Sequence, residues 1–384
     1  MTTTKESPTK ESLSKSKVHG NPWRPSFHGV GLVARIELQR RRPSKKGWIF
    51  YGVTFAAILA LGVWVAVLTV GEAKTSIPLE LVLVLVLGVG FLIGPSLSAT
   101  SINGDSGEGV LAPLQMSRLT AGDLAFGKLL ASWAVSLAAL ITMTPFLVYA
   151  FTRSGWHLSE LLSVLGMILF MVLMATAIGL AWSAIAARAV ASVSLAHLTT
   201  GVLVLGTLLV FAFTMPLFTE TVEVTSRDRD VSNLTEDEWN DPDFDFNALP
   251  CIDTTGEWGM PHTEKTAWLL LLNPMVVIAE ASPIVNPDTF EKDGRAAPGV
   301  FAQIHSSVAD ARLGPQVPVP YDGCSTEPQE DNSWQERQQA QALLAPAPWL
   351  GLGFSAVLLV GSMMIVVQRL RVPYKKLRAG SRVA

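Results

Sequence analysis

Residues 161–187 read LLSVLGMILFMVLMATAIGLAWSAIAA, and Arg188 follows them. No charged side chain falls between Leu161 and Ala187. A helix needs about 20 apolar residues to cross the hydrocarbon core of a bilayer. The run is apolar on every face of a helix, which separates it from the amphipathic surface helix of a soluble protein. It predicts a membrane-spanning helix, and similar runs recur on both sides of it.

Working outward, further spans are expected at Trp48 to Val70, Leu79 to Ser98, Leu124 to Phe151, Ala189 to Phe218 and Trp349 to Val367. The whole chain agrees: 49% of its residues are hydrophobic and only 16% charged, against about 25% charged in soluble domains. Mean hydropathy is +0.37. The expected fold class is all-α: six transmembrane helices, an N-terminal interfacial helix and a long external segment between spans five and six. Met1 to Lys46 is polar and basic, so the first span is expected to act as an uncleaved signal anchor.

Orientation follows from Lys and Arg beside the spans, which favour the cytoplasmic side. Arg35, Arg40, Arg41, Arg42, Lys45 and Lys46 precede the first span; Arg369, Arg371, Lys375, Lys376, Arg378 and Arg382 follow the last. Both termini are therefore expected in the cytoplasm, and the number of spans must be even. The turns holding Arg118 and Lys128, and Arg188, then lie inside.

The chain divides accordingly. Residues 1–26 form a polar arm, rich in Ser, Thr and Lys near its start, expected to be disordered. Residues 27–47 carry an interfacial helix in which Val30, Leu32, Val33, Ile36 and Leu38 alternate with a basic face. Residues 48–218 hold spans one to five. Residues 219–348 form an acidic, partly irregular external segment, with Glu236, Asp237, Glu238, Asp241, Asp243 and Asp245 close together. Inside it, the apolar run 267–281 is broken by Asn273-Pro274; it is short for a span and reads as a re-entrant helix pair. Residues 349–384 hold the sixth span and a basic tail. Cys251 and Cys324 are the only cysteines. Both fall in the external segment, where an oxidising compartment favours a disulfide between them; two unrelated thiols are the alternative. No Cys/His cluster supplies the four ligands of a zinc site.

The turn between the second and third spans carries the richest pattern. Ser101-Ile102-Asn103-Gly104-Asp105-Ser106-Gly107 reads as a flexible exit, Glu108 as the start of a short helix whose positive end it suits, and Leu111, Leu114 and Met116 as an apolar ridge. Thr120 is the expected N-cap of the third span. Gly122 to Lys128 matches the front of a phosphate loop, G-x-x-x-x-G-K, but Leu129 stands where magnesium needs a hydroxyl and no strand precedes it. Gly127 and Lys128 read instead as a helix start at the membrane surface, with the lysine amine among headgroups. Such a short helix serves either as a lipid-facing element or as a docking knob for a soluble partner.

The string Glu108-Gly109-Val110-Leu111, then Ser117-Arg118-Leu119-Thr120, then Asp123 and Gly127-Lys128, resembles the signature turn of type 2 ABC transporter permeases. Gly94-Pro95-Ser96-Leu97-Ser98-Ala99 and Leu272-Asn273-Pro274 are similar to the actinobacterial branch. The family often has an acidic residue where Ala112 stands and a proline where Arg118 stands, and a shorter external region. The resemblance implies a coupling helix near 105–120, seated on a separate ABC ATPase subunit through Glu108, Gly109, Leu111, Leu114 and Arg118. It implies a connecting helix at Phe27 to Arg42 and a second permease chain, identical or different. The translocation path would follow spans two and five, with Gly201 and Gly206 allowing close approach. The chain would be a non-hydrolysing permease, most readily an exporter, in the plasma membrane of a bacterium. It would bind no cofactor itself, with ATP and Mg held by the partner. Membrane lipid is an expected partner and nucleic acid is not.

Other classes make different demands. A secondary carrier needs ionisable residues inside its spans, and these spans read as nearly free of them, His197 being the main exception. Its expected partners are neighbouring hydroxyls such as Thr199 or Thr200. A secondary carrier would also work without ATP. A membrane-anchored receptor would use the external segment for binding without nucleotide. A channel would show a charged or carbonyl-lined filter, and none is visible in the sequence.

Overall fold

The structure is a computed structural model. It describes residues 23–41, 45–68, 76–241, 244–283, 299–316, 318, 320, 322–325 and 332–371. Most of the expected disordered arm, Asp243, and the tail residues Lys375, Lys376, Arg378 and Arg382 lie outside the described residues.

Every described element before the first strand is helical. An N-terminal helix α1 (Phe27–Arg40) is followed by α2 (Lys45–Leu68), 24 residues long, and α3 (Ile77–Ser98). Two short helices form the turn, α4 (Ser101–Gly107) and α5 (Leu111–Met116). Then come α6 (Ala121–Ile141), α7 (Thr144–Ser154), α8 (Leu158–Ile185), α9 (Ala189–Gly201), a π-helical turn at Val202–Gly206 and α10 (Thr207–Thr214). Beyond a 3₁₀ turn at Met215–Phe218 the chain forms β1 (Thr219–Arg229), α11 (Glu236–Trp239) and β2 (Cys251–Pro261). It returns through α12 (Trp268–Leu271), α13 (Pro274–Ala281), α14 (Val300–Leu313), α15 (Ser333–Leu343) and α16 (Pro348–Leu370).

Five stretches among the described residues are long and apolar enough to cross a membrane: Ile77–Gly107, Ala121–Ile141, Leu158–Ile185, Ala189–Phe218 and Pro348–Leu370. In α2 the described apolar stretch is Phe55–Trp64. The protein is a multi-pass, helical membrane protein. Helices α3 and α8 form the centre of the bundle, with α6 against α3 and α16 against α8. Their contact is close because of glycine. A Cβ on Gly179 would stand 2.8 Å from the Pro95 backbone, and one on Gly94 would meet the Thr176 hydroxyl. Small residues let backbones approach where lipid gives helices no hydrophobic reason to associate. Gly201 has nothing within 4 Å of a Cβ, and Gly206 meets only Val202 of its own helix. Within this chain Gly94 and Gly179 make close contacts between α3 and α8.

Three features depart from the sequence reading. The third span does not run unbroken to Phe151. It stops at Ile141 and restarts as α7, whose first turn holds Pro145; proline has no N–H to continue the preceding ladder. Secondly, the 30-residue helix Ala189–Phe218 contains the π turn, and Asn273 fills it. The Asn273 side-chain amide donates to the Val204 carbonyl at 2.7 Å and to Thr207 Oγ1 at 3.0 Å, while its oxygen accepts from the Met275 amide at 2.8 Å and caps α13. A widened turn displaces carbonyls from the regular ladder, and in a membrane they need partners from the protein. The apolar run 267–281 forms two short helices, α12 and α13, interrupted at Asn273, and both are too short to cross a bilayer.

The third departure is in residues 219–348. There β1 and β2 form an antiparallel ribbon from Thr219↔Pro261 to Arg229↔Cys251. The clustered acids and the frequent Pro, Gly, Asn and Asp predict a small domain or folded loop, partly irregular, and no strand. The cue was β-branched alternation in Thr219-Glu220-Thr221-Val222-Glu223-Val224-Thr225. Cys251 and Cys324 are joined in a disulfide, with Cα atoms 6.3 Å apart. It fastens residues 322–324 to the far end of the ribbon, where Arg227 bridges Asp322.

Candidate functional site: the turn between the second and third apolar helices

The turn is built from its glycines upward. Helix α4 continues from the end of α3 and ends at Glu108, its C-cap. Gly109 has φ of +72°, a conformation that only glycine adopts without strain. Around it the Gly109 amide donates to the Ser106 carbonyl at 3.2 Å and the Val110 amide to the Asp105 carbonyl at 2.9 Å. These are the paired bonds of a Schellman stop. Glu108 therefore ends one helix rather than starting the next. A carboxylate there opposes the helix dipole, and Arg40 of α1 offsets it at 2.8 Å.

Helix α5 follows at once. Leu111 and Leu114 are half-buried and pack on a core of Leu124, Ala177, Met363 and Val366. Gln115 donates to the Leu370 carbonyl at 3.1 Å, tying α5 to the end of α16. The expected outward ridge is thus turned inward. A six-residue helix has too little of its own to hold it in place, and its apolar side is what seats it. The outward set is Glu108, Gly109, Pro113, Ser117 and Arg118, all exposed.

Helix α6 starts with a reciprocal cap. The Asp123 amide donates to Thr120 Oγ1 at 3.0 Å and the Thr120 amide to the Asp123 carboxylate at 2.9 Å, as the sequence reading of Thr120 expects. The same carboxylate accepts the Ser26 amide at 2.6 Å, and Ser26 caps α1 by accepting from the Gly29 amide at 3.0 Å. One aspartate so ties the starts of two helices together. Gly127 completes the contact: a Cβ there would stand 3.0 Å from the Val30 carbonyl.

Gly127 and Lys128 are consequently not a helix start. They lie two turns into α6, which is helical throughout Ala121–Ile141, so no phosphate loop forms at Gly122 to Lys128. Nor is the lysine among headgroups. Lys128 is 0% exposed. Its ammonium is ion-paired with Glu37 of α1 and with Asp105 of α4, and donates to the Ser101 carbonyl at 3.2 Å. Arg40 holds the other Asp105 oxygen at 2.6 Å. Arg41 lies 3.8 Å from Glu37 and donates to the Ser132 hydroxyl at 3.0 Å. Three cations (Lys128, Arg40, Arg41) and three carboxylates (Glu37, Asp105, Glu108) balance. A buried charge survives only when paired and hydrogen-bonded, and stripping one partner from such a set costs about 3–5 kcal/mol.

Glu37 and Asp105 were missed by the sequence reading, and Arg40 entered it only as a topological charge. The signal was present: Gly29, Val33 and Glu37 recur every fourth residue and are the buried face of α1.

The bundle is also less free of ionisable groups than its sequence reads. Glu80, in the first turn of α3, is 3% exposed and accepts the Phe301 amide at the start of α14 at 2.7 Å. Glu280 of α13 is buried and accepts from His305 Nδ1 and from the Ala347 amide, each at 2.8 Å. The two carboxylates tie α14 to α3 and to α13, and α13 to the residue before α16. His197 meets Ser96 of α3 at 2.8 Å rather than Thr199 or Thr200. Among the described residues no group of three His, Cys, Asp or Glu side chains could hold a metal ion.

Compared with known proteins, the chain matches no protein-family model and has no significant match among curated proteins.

Proposed function

We propose that the chain is the permease subunit of an ATP-driven transporter of the type 2 ABC class, most readily an exporter. In this reading six helices cross the plasma membrane, α2 being the first, with both termini in the cytoplasm. A separate ATPase subunit, carrying ATP and Mg, docks on the exposed side of α4–α5, and two permease chains face each other across the path. The observation that carries the proposal is the seating of the turn. Glu108, Pro113, Ser117 and Arg118 are exposed, while the ion set behind them joins α1, α4 and α6 in one block. A push on the turn is then delivered to three helices at once, as a nucleotide-driven two-state element requires.

The test is purification of the tagged chain from its native membrane in mild detergent, followed by identification of any soluble protein recovered in near one-to-one ratio. An ATPase that is lost when Pro113→Asp and Arg118→Glu are combined supports the proposal and locates the dock. Recovery of the chain alone, with no ATPase even after crosslinking, overturns it. The ribbon favours a second reading, a membrane-anchored receptor. Its strands are exposed nearly end to end and locked by a disulfide. That reading predicts binding at the ribbon that is indifferent to nucleotide.

A further inference from the structure

Between α10 and α14, where the fifth apolar helix approaches the ribbon, lies an open-sided cavity of about 530 Å³. Leu208, Phe211 and Met215 form its wall on one side, and Leu270, Val276 and Ile304 on the other. Its floor is part of a buried apolar cluster that includes Val308, 2% exposed. Polar groups are confined to the α14 side and the rim, where Gln303 and Ser307 are exposed. Asp310, the charged residue of the lining, is already engaged by Arg337 and by Gln341. The cavity is not isolated. Leu205 and Leu208 are 63% and 43% exposed, and with Phe211 and Met215 they share one helical face. An apolar stripe on the membrane-facing helix thus runs straight into the opening.

This shape selects its occupant. The volume falls within the about 300–1,000 Å³ of small-ligand sites. Water would find few of the two to four polar partners it needs against this floor. A polypeptide would bring backbone amides and carbonyls that the apolar walls cannot satisfy. An amphiphile meets every condition: a chain without polar atoms for the floor, and a polar end that accepts from the exposed Gln303 side-chain amide, the Ser307 hydroxyl beside it donating to the Gln303 carbonyl at 2.8 Å. Lipid is the solvent of the stripe that leads in. We propose that the cavity binds one acyl chain of a membrane phospholipid, which enters sideways along α10, with its headgroup held at the α14 rim. The proposal rests on insertion of the helices in lipid and is independent of the ATPase reading.

The full-length protein in detergent is incubated with a trace of phosphatidylcholine carrying a diazirine on one acyl chain, then irradiated, and the labelled peptides are mapped by mass spectrometry. Label is expected on the segments holding Leu208–Met215 and Ile304–Ala311, and is displaced by excess unlabelled phosphatidylcholine. Ile304→Trp, which fills the cavity, is expected to cut it at least fivefold. Ser307→Trp, at the exposed rim, gives the same reading should the first variant not fold. Leu217→Trp, on the exposed surface outside the lining, is expected to leave labelling unchanged. Three results overturn the proposal. One is label spread evenly along the exposed faces of α10 and α16. Another is undiminished label in a tryptophan variant that is monodisperse and retains its disulfide. The third is displacement by free fatty acid but not by phosphatidylcholine.

Discussion

Lys128 sits wholly inside protein, between Glu37 and Asp105, whereas β1 and β2 expose most of their residues. The first region is held by an ion set whose centre, Lys128 with Glu37 and Asp105, is buried. The second is held by backbone pairing, one covalent link and ion pairs at its base. The difference shows two ways of fixing a polar segment beside an apolar bundle. The turn is tied to its helices by buried groups from three elements. The ribbon stands clear of them and is fastened to itself, because two strands have no core of their own to rely on.

The sharpest way to break this comparison is Lys128→Met. It leaves Glu37 and Asp105 buried without their shared cation, and about 3–5 kcal/mol of stability should be lost. Thermal unfolding in detergent measures it, and an unchanged midpoint would mean that water reaches the set. Next comes Cys324→Ser. Opening a link across 73 residues should cost the ribbon unit about 2–4 kcal/mol. Hydrogen exchange should rise in β1 and β2 and stay unchanged in α3 and α8. Exchange that rises everywhere would show that the two regions fold as one.

A smaller effect is expected from Asn273→Ala, which removes two donors to the π turn and the cap of α13. About 1–2 kcal/mol should be lost, with exchange rising at Val202–Gly206. The smallest concerns pH at the ribbon base. Glu264 and then Glu220, hydrogen-bonded to the His262 ring at 2.8 and 3.1 Å, hold it protonated to higher pH than an ordinary histidine. A raised folded value contributes stability in full below the unfolded value of about 6.5 and loses it as pH rises through the folded value. Protection of the ribbon should therefore decline slightly as pH rises beyond about 6.5, and His262→Gln should abolish that slope.

How much of this was legible in the sequence differs between the regions for physical reasons. Apolar length alone identifies α3, α8 and α16 to within a few residues, because lipid imposes it. The same measure passes over the stop at Ile141, since Thr142 and Pro145 break a hydrogen-bond ladder without lowering hydrophobicity. It misplaces Lys128, because a lysine near a span end and a lysine sunk in an ion set look alike until Glu37 arrives from another helix. Leu111 and Leu114 are similar: their pattern shows an apolar side but not whether it faces partner or core. The ribbon was concealed by its charges, which spoke more loudly than its alternating β-branched residues.

The π turn at Val202–Gly206 bears on more than its own hydrogen bonds. Each residue of a helix turns the chain by about 100°, so one added to or taken from a turn swings everything beyond it to a new azimuth. The direction in which the ribbon points around the axis of the helix Ala189–Phe218 is therefore set by this widened turn and by the single asparagine that latches it. Removing one residue there should leave the helix long enough to cross the bilayer and yet aim the ribbon at a different neighbour.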